Sequence, residues 1–566
     1  MKRLVCLAIG LVLMMNAYAV SYAEEAEANH FTIEPQFSGL HGYNDLRSTF
    51  NEGLAWVQLS GDEIGVIDRS GKVLLDNLSL NHYSFTSYMF SEGLSRYRDS
   101  QGAWVYLDKN GNEVIRTTYD TVFNFREGLA AVERDGKWGY INREGKEVIK
   151  PQYDEIRDDD GYGYNAGTAG FYEGLSAVSK GGKWGFINKS GQVVVPLKYD
   201  WVNNFNEGLA VVSRNGKWGY INKFGTEVIK VIYDDAINFS EGVASVLRPN
   251  PAGNGYNWLF IDKNGTVIKD FKNKYEIVYP PEEGVAVASY YAGSPDTRYA
   301  LLDRNGTLIV DLGNKYAEVD GFSEGLAWAE KPDGGVVLID QAGQEVVEPY
   351  SQIRSSTAGL IGVQVNDRDP FGFMRNPLDV PSAWAEAEVN TAASLNLVPL
   401  EIDYGYAANI TRADFSKLAL NLVSVKTGKT VEELLTQSGK KIKDGVFDDT
   451  FDRTVLAANA LGIISGRSTN KLDPNGLITR QEAAVMLTRV AGMLGITKGS
   501  GEAVTYTDAK AIASWAGESV AVIGSVEDKT SNTIVMGGVG SSRFAPEEPF
   551  TKQQAFITMK RLFNAV

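Results

Sequence analysis

A unit of about 34 residues recurs along the first two thirds of this 566-residue chain, and a repeat constrains a fold more than any single motif. Its clearest copy is 205–234, reading FNEGLAVVSRNGKWGYINKFGTEVIKVIYD. Asn215-Gly216 separates LAVVS from KWGYI, a hairpin signal because a type I′ turn needs positive φ at both central residues. Asn222 and Gly225 then stand at the two ends of a type I turn, ahead of the third run, EVIKV. The unit reads as a three-stranded meander. It is too small to bury a core alone, so its copies must pack on one another.

Eight copies are present. The Glu-Gly step recurs at Gly53, Gly93, Gly128, Gly174, Gly208, Gly242, Gly284 and Gly325, and the Asx-x-x-Gly turn begins at Asp68, Asp108, Asn142, Asn188, Asn222, Asp262, Asp303 and Asp340. A side chain needed by the architecture recurs in every copy, whereas a catalytic residue is usually found once. The glutamates from Glu52 to Glu324 therefore read as architecture. Before the first copy, IEPQF (33–37) looks like the tail of a missing repeat, and 359–373 looks like the front of a ninth. Complementary half-units allow the array to close as a β-propeller does, while an open β-solenoid is the alternative.

Lys137-Trp138-Gly139, Lys183-Trp184-Gly185 and Lys217-Trp218-Gly219, with the F-x-EGL-A lead and the tail of Ile149, Pro151, Tyr153 and Asp154, resemble the WG-repeat family of bacterial proteins. The resemblance covers 31–374, and that family implies no defined activity. Other copies carry Ile64, Trp104, Trp258, Tyr299 or Val336 at the tryptophan position, which suits a large apolar core site. Copies six and seven lengthen the first hairpin turn, at 249–256 and 291–298. Adjacent copies with equivalent insertions put both loops on one rim. Asn250, Asn254, Tyr256, Tyr291, Asp296 and Arg298 there form a polar and aromatic mix suited to a glycan or protein ligand. The acidic run 158–162 lacks the spacing of a calcium loop and reads as a solvated loop.

Lys2-Arg3, an apolar run to Met15 and small residues to Ala23 read as an export signal over 1–23, with cleavage after Ala19 as the other fit. The run is too short to span a membrane. The only cysteine, Cys6, lies inside it, so the mature chain has no disulfide or thiol nucleophile, and three histidines make no metal site. No cofactor is expected. The formal charge of −16 becomes −18 without Lys2 and Arg3, which argues against nucleic acid as a partner and suits an extracellular chain.

From about 376 the apolar period turns helical, in three units at 376–437, 438–497 and 498–566. Each has a second helix opening on a Thr-led cap: Thr411-Arg412-Ala413-Asp414, Thr479-Arg480-Gln481-Glu482 and Thr551-Lys552-Gln553-Gln554. With Trp384-Ala385 and Trp515-Ala516 heading first helices, these resemble a tandem of S-layer homology domains. Thr450 falls at the tryptophan place of the second unit, and the first unit lacks the Pro-bearing loop of Pro474 and Pro546. The resemblance implies non-covalent anchoring to an acidic cell-wall polysaccharide, through Arg412, Arg480, Lys552, Trp384 and Trp515. A cation in a first turn, beside unpaired backbone N–H groups, is the physical reason it offers. The whole is expected to be an all-β array followed by an all-α tail: an exported, wall-anchored and non-catalytic protein. A glycan hydrolase on a β scaffold and a passive wall spacer are the other readings.

Overall fold

A computed structural model describes residues 31–566 apart from 41–49, 61–62, 80–88, 158–168, 252, 254, 291–296, 367–368, 444, 497–503 and 541. The export signal over 1–23 and the acidic run 158–162 lie outside the described residues. The array forms nine four-stranded antiparallel sheets arranged as propeller blades. Each meander is completed by a short strand ahead of the Glu-Gly step. In blade five it is only Trp201–Val202, followed by Leu209–Arg214, Lys217–Asn222 and Glu227–Tyr233. A two-residue strand leaves no alternating pattern, so the sequence shows three strands where the fold has four.

The ring closes. Ile33–Phe37 pairs antiparallel with Phe371–Arg375 and supplies the fourth strand of blade nine, whose others are Gln352–Ile353 and Leu360–Gln364. The two half-repeats thus make one blade, and the open solenoid is excluded. Ile33, Phe37, Phe371 and Phe373 form the core of the seam with Phe50 and Val57 of blade one.

The turns explain the repeated residues. Asn215 and Gly216 have φ of 53° and 70°, as the type I′ hairpin requires. Every Glu of the Glu-Gly step also holds positive φ, 51–54°, an uncommon state for a residue with a Cβ. Its carboxylate accepts the backbone N–H of the next blade's glycine at 2.6–3.1 Å, from Glu52 onto Gly93 round to Glu324 onto Gly359. Lys109, Lys189, Lys223 and Lys263, each one residue into its Asx turn, reach the same glutamates at 2.9–3.2 Å. A belt of charge-assisted bonds therefore ties blade to blade.

The glycine of the Trp-Gly signature has a different reason. Trp138 pairs with Tyr153 while Tyr140 pairs with Ile149, so the outer strand bulges across Gly139. A Cβ there would lie 2.4 Å from the Ile149 carbonyl oxygen. The tryptophans themselves are unequal: Trp184 is 6% exposed, but Trp138 and Trp218 are only half-buried. Trp184→Ala is expected to cost about 3–5 kcal/mol. Trp218→Ala should cost less, and urea denaturation should rank the two in that order.

The tail contains seven α-helices among the described residues: α1 (Glu386–Ser394), α2 (Arg412–Thr427), α3 (Val431–Gln437), α4 (Arg453–Leu461), α5 (Arg480–Met493), α6 (Gly517–Ile523) and α7 (Lys552–Ala565). Their apolar faces join in a single core. Among the described residues no helix is long and apolar enough to cross a membrane.

Candidate functional site

The three tail units close on one another as a ring. The residues just before the capping threonines make a cycle of backbone bonds: Ile410 N–H to Phe550 O (2.8 Å), Phe550 N–H to Ile478 O (3.0 Å), and Ile478 N–H to Ile410 O (3.2 Å). Thr479 and Thr551 form full capping boxes with Glu482 and Gln554, and Thr411 caps the Asp414 N–H. The other first-turn donors are taken by a neighbouring unit. Arg412 and Ala413 N–H donate to Gly476 and Pro474, Arg480 and Gln481 N–H to Glu548 and Pro546, and Lys552 and Gln553 N–H to Ala408 and Tyr406. Residues 404–408 thus stand in for the Pro-bearing loop that the first unit lacks.

This overturns the physical reason offered for anion binding. The helix ends carry no free N–H groups of the kind expected, and the three cations do not face solvent. Arg412, Arg480 and Lys552 are 4–5% exposed. Arg412 donates to Leu472 O (3.0 Å), Ser465 O (2.8 Å) and the Glu482 carboxylate (3.0 Å). Arg480 donates to Phe544 O (2.7 Å) and Gly537 O (2.6 Å). Lys552 lies 3.8 Å from the centroid of the Tyr404 ring and 4.0 Å from Asp414, and burial lowers its pKa. These side chains lock one unit to the next.

What does face solvent is aromatic. Trp384 is 64% exposed and Trp515 58%. Each heads a first helix that packs on another unit's second helix, α1 on α7 and α6 on α5, while α4 packs on α2. Trp384 therefore stands at the junction with Lys552 and Gln553, and Trp515 at the junction with Arg480 and Gln481. The residue equivalent to them is not Thr450, which is 7% exposed, but Phe451, two places before the start of α4. Chain position relative to the helix identifies it, a register the sequence leaves open.

The tail is seated on the ring face that carries the Glu-Gly turns, where the belt is interrupted. Blade nine has Ala358 in place of glutamate, with the same φ of 52°. Arg69 of blade one, which follows its Asx as Lys109 does in blade two, is 7% exposed and bonds instead to the tail. It donates to Leu400 O and to Asp403 O (3.2 Å) and stacks on Tyr404 at 5.0 Å. A Cβ on Gly53 would lie 2.7 Å from Cβ of Glu401. The residue that breaks the repeat marks where the second domain docks.

The suggested ligand rim is on the opposite face. Pro249 pairs with Tyr256 and Tyr290 with Arg298, so the strand ends that flank both insertions lie on the hairpin side of blades six and seven. Asn250 is half-buried and closes its own turn, its N–H donating to Gly255 O at 2.9 Å, while Tyr256 is 52% exposed and Arg298 is exposed. Asn254, Tyr291 and Asp296 lie outside the described residues. At the ring's inner side a cavity of about 180 Å³ is lined by Glu282, Asp320, Gly321, Phe322, Ser323 and Ser355. Among the described residues no His, Cys, Asp and Glu cluster could hold a metal ion.

Comparison with known proteins agrees with this division. Residues 104–138, 138–164, 168–184, 184–218, 218–247 and 299–334 match the family described as "WG containing repeat", and 448–484 match "S-layer homology domain". Among curated proteins, the chain is 29% identical over 214 residues to an exoglucanase, XynX, of Acetivibrio thermocellus. That match covers 37% of this chain and 18% of the relative. It is 29% identical over 188 residues to an amylopullulanase of Thermoanaerobacterium thermosulfurigenes, covering 33% of this chain and 9% of that one. The chain thus spans less than a fifth of either relative. Solved structures with some likeness include the computationally designed Ika8 protein, at 13% identity and a TM-score of 0.33, covering 51% of this chain and 94% of that one. A eukaryotic initiation factor has 12% identity and a TM-score of 0.38, with 56% and 90% covered.

Proposed function

From the premise that the chain carries WG-containing repeats over 104–334 and an S-layer homology domain at 448–484, we propose that it is an exported, surface-anchored display protein. Its helical tail holds cell-wall polysaccharide and its propeller presents a binding face away from the wall. The observation that carries this reading is the pair of exposed tryptophans, Trp384 and Trp515, at junctions of a closed three-unit tail. An indole face stacks on a pyranose ring. The buried cations Arg412, Arg480 and Lys552 set the junctions rather than meet the polymer as free charges.

Because the tail is seated on the Glu-Gly face, the hairpin rim with Asn250, Tyr256 and Arg298 is the face left for a glycan or protein ligand. The propeller is read as a non-catalytic scaffold. Co-sedimentation of the full chain with purified bacterial walls tests the anchoring. The chain is expected to pellet with intact walls and to stay in solution with walls stripped of polysaccharide by hydrofluoric acid. Equal pelleting with both would overturn it.

A further inference from the structure

We propose that the tail holds polymer at only two of its three junctions, and that the third has been given over to seating the propeller. This rests on the anchoring reading above and fixes its valency. The junctions are equivalent by position. The aromatic residue two places before a first helix is Trp384, Phe451 or Trp515, and the second residue of the helix facing it is Gln553, Ala413 or Gln481.

At two junctions a buried glutamine braces the loop that carries an exposed tryptophan. Gln553 Oε1 accepts the Ser382 N–H at 2.9 Å and its Nε2 donates to Ser382 Oγ at 3.1 Å, which fixes the amide beside Trp384. Gln481 Oε1 accepts the Ala513 N–H at 3.0 Å, two residues before Trp515, and its Nε2 donates to the Glu547 carboxylate at 2.5 Å. The third junction has lost both. Phe451 has no indole N–H, and Ala413 has no amide.

The same junction is covered. The Arg143 guanidinium of blade three lies 4.7 Å from the centroid of the Phe451 ring. A Cβ on Gly128 of that blade would be 3.0 Å from the ring. Arg143 is held there by the belt, donating to the Glu92 carbonyl at 2.8 Å. A sugar ring cannot stack on a face that a guanidinium already covers. Loss of the exposed tryptophan with its bracing glutamine, and gain of the propeller contact, fall on one junction, as a change of use requires. The tail is then divalent, and its polymer sites stand in a set orientation to the ring.

Titration calorimetry on the full chain tests this. The probe is short chains of polysaccharide released from purified bacterial walls by hydrofluoric acid. Two chains are expected to bind per protein. Trp384→Ala and Trp515→Ala should each leave one, and the double variant none. On intact walls either single variant should weaken retention by roughly 10²-fold or more, the loss of a linked second site. Phe451→Ala should still bind two chains while hydrogen exchange quickens at the Gly128 and Arg143 turns. Three chains per protein, or binding that survives in the double variant, would overturn the inference while leaving the anchoring intact. So would loss of a site in Phe451→Ala with its helical signal unchanged. No binding by the unaltered chain would overturn the anchoring and the inference together.

Discussion

Lys560→Met is expected to destabilise the tail by about 3–5 kcal/mol, while the propeller keeps its stability. The Lys560 ammonium lies 2.7 Å from the carboxylate of Asp528, which is 0% exposed, and 3.4 Å from Glu388 on α1. Removing one partner of a buried pair leaves the other charge desolvated, which costs far more than the intact pair contributes. Thr530 and Asn564 still donate to Asp528, so the lower end of that range is expected. Adding Asp528→Asn removes the stranded charge and should restore part of the loss.

The pH dependence follows with a definite sign. Burial pushes the Asp528 carboxyl up, but the Lys560 ammonium, followed by the Thr530 and Asn564 donors, outweighs it and holds the carboxyl well below the usual carboxylate range. A group depressed in the folded state adds stability above the ordinary carboxylate range and loses it as pH falls below that range. The unaltered tail should therefore weaken in strong acid. In Lys560→Met the carboxyl loses its largest depressing partner, so the deficit measured at neutral pH should shrink on acidification. A deficit that stays constant between pH 7 and pH 3 would show that packing, not charge, set the cost. Thermal melts followed at a helical wavelength read this directly.

Phe37→Ala should open the ring at one place. Phe37 is 1% exposed, pairs with Phe371 across the closing strand and meets Phe373 edge-on at 6.2 Å. Truncating a buried phenylalanine costs about 3–5 kcal/mol. The cost falls on a strand only five residues long, Ile33–Phe37, joined to blade nine from the far end of the array. Local opening therefore precedes global unfolding. Hydrogen exchange should rise across Phe371–Arg375 and at blade one, while blade five, on the other side of the ring, keeps its protection. Uniform loss across all blades would mean that the ring unfolds as one unit and that the seam is not its weak point.

The repeats, their turn residues and the division into a β array and a helical tail were legible in the chain itself. Those features are local. An Asn-Gly pair or a Thr-led capping box acts within a few residues, so each leaves its mark on adjacent positions. The complementary half-repeats even displayed the material for closure, since 33–37 lacked its front and 359–373 its tail. The fourth strand of each blade was not legible, because a two-residue strand such as Trp201–Val202 is held by neighbours rather than by its own pattern. The bulge over Gly139 was hidden for the same reason.

The site shows the limit more sharply. Sequence placed Arg412, Arg480 and Lys552 in first turns, correctly, and from there a free cation beside a positive helix end was the natural expectation. Only the tertiary structure put the carbonyls of Gly476, Glu548 and Ala408 against those helix ends, from loops some 60 to 145 residues away in the chain. It likewise moved the second unit's aromatic place from Thr450 to Phe451 and covered that ring with Arg143. The address that Ala358 gives for the tail is visible only once blade nine stands beside blade one. Local order follows from near neighbours along the chain. Which cation is buried, which aromatic is covered and which face stays open depend on segments that meet only when the ring and the tail have both closed.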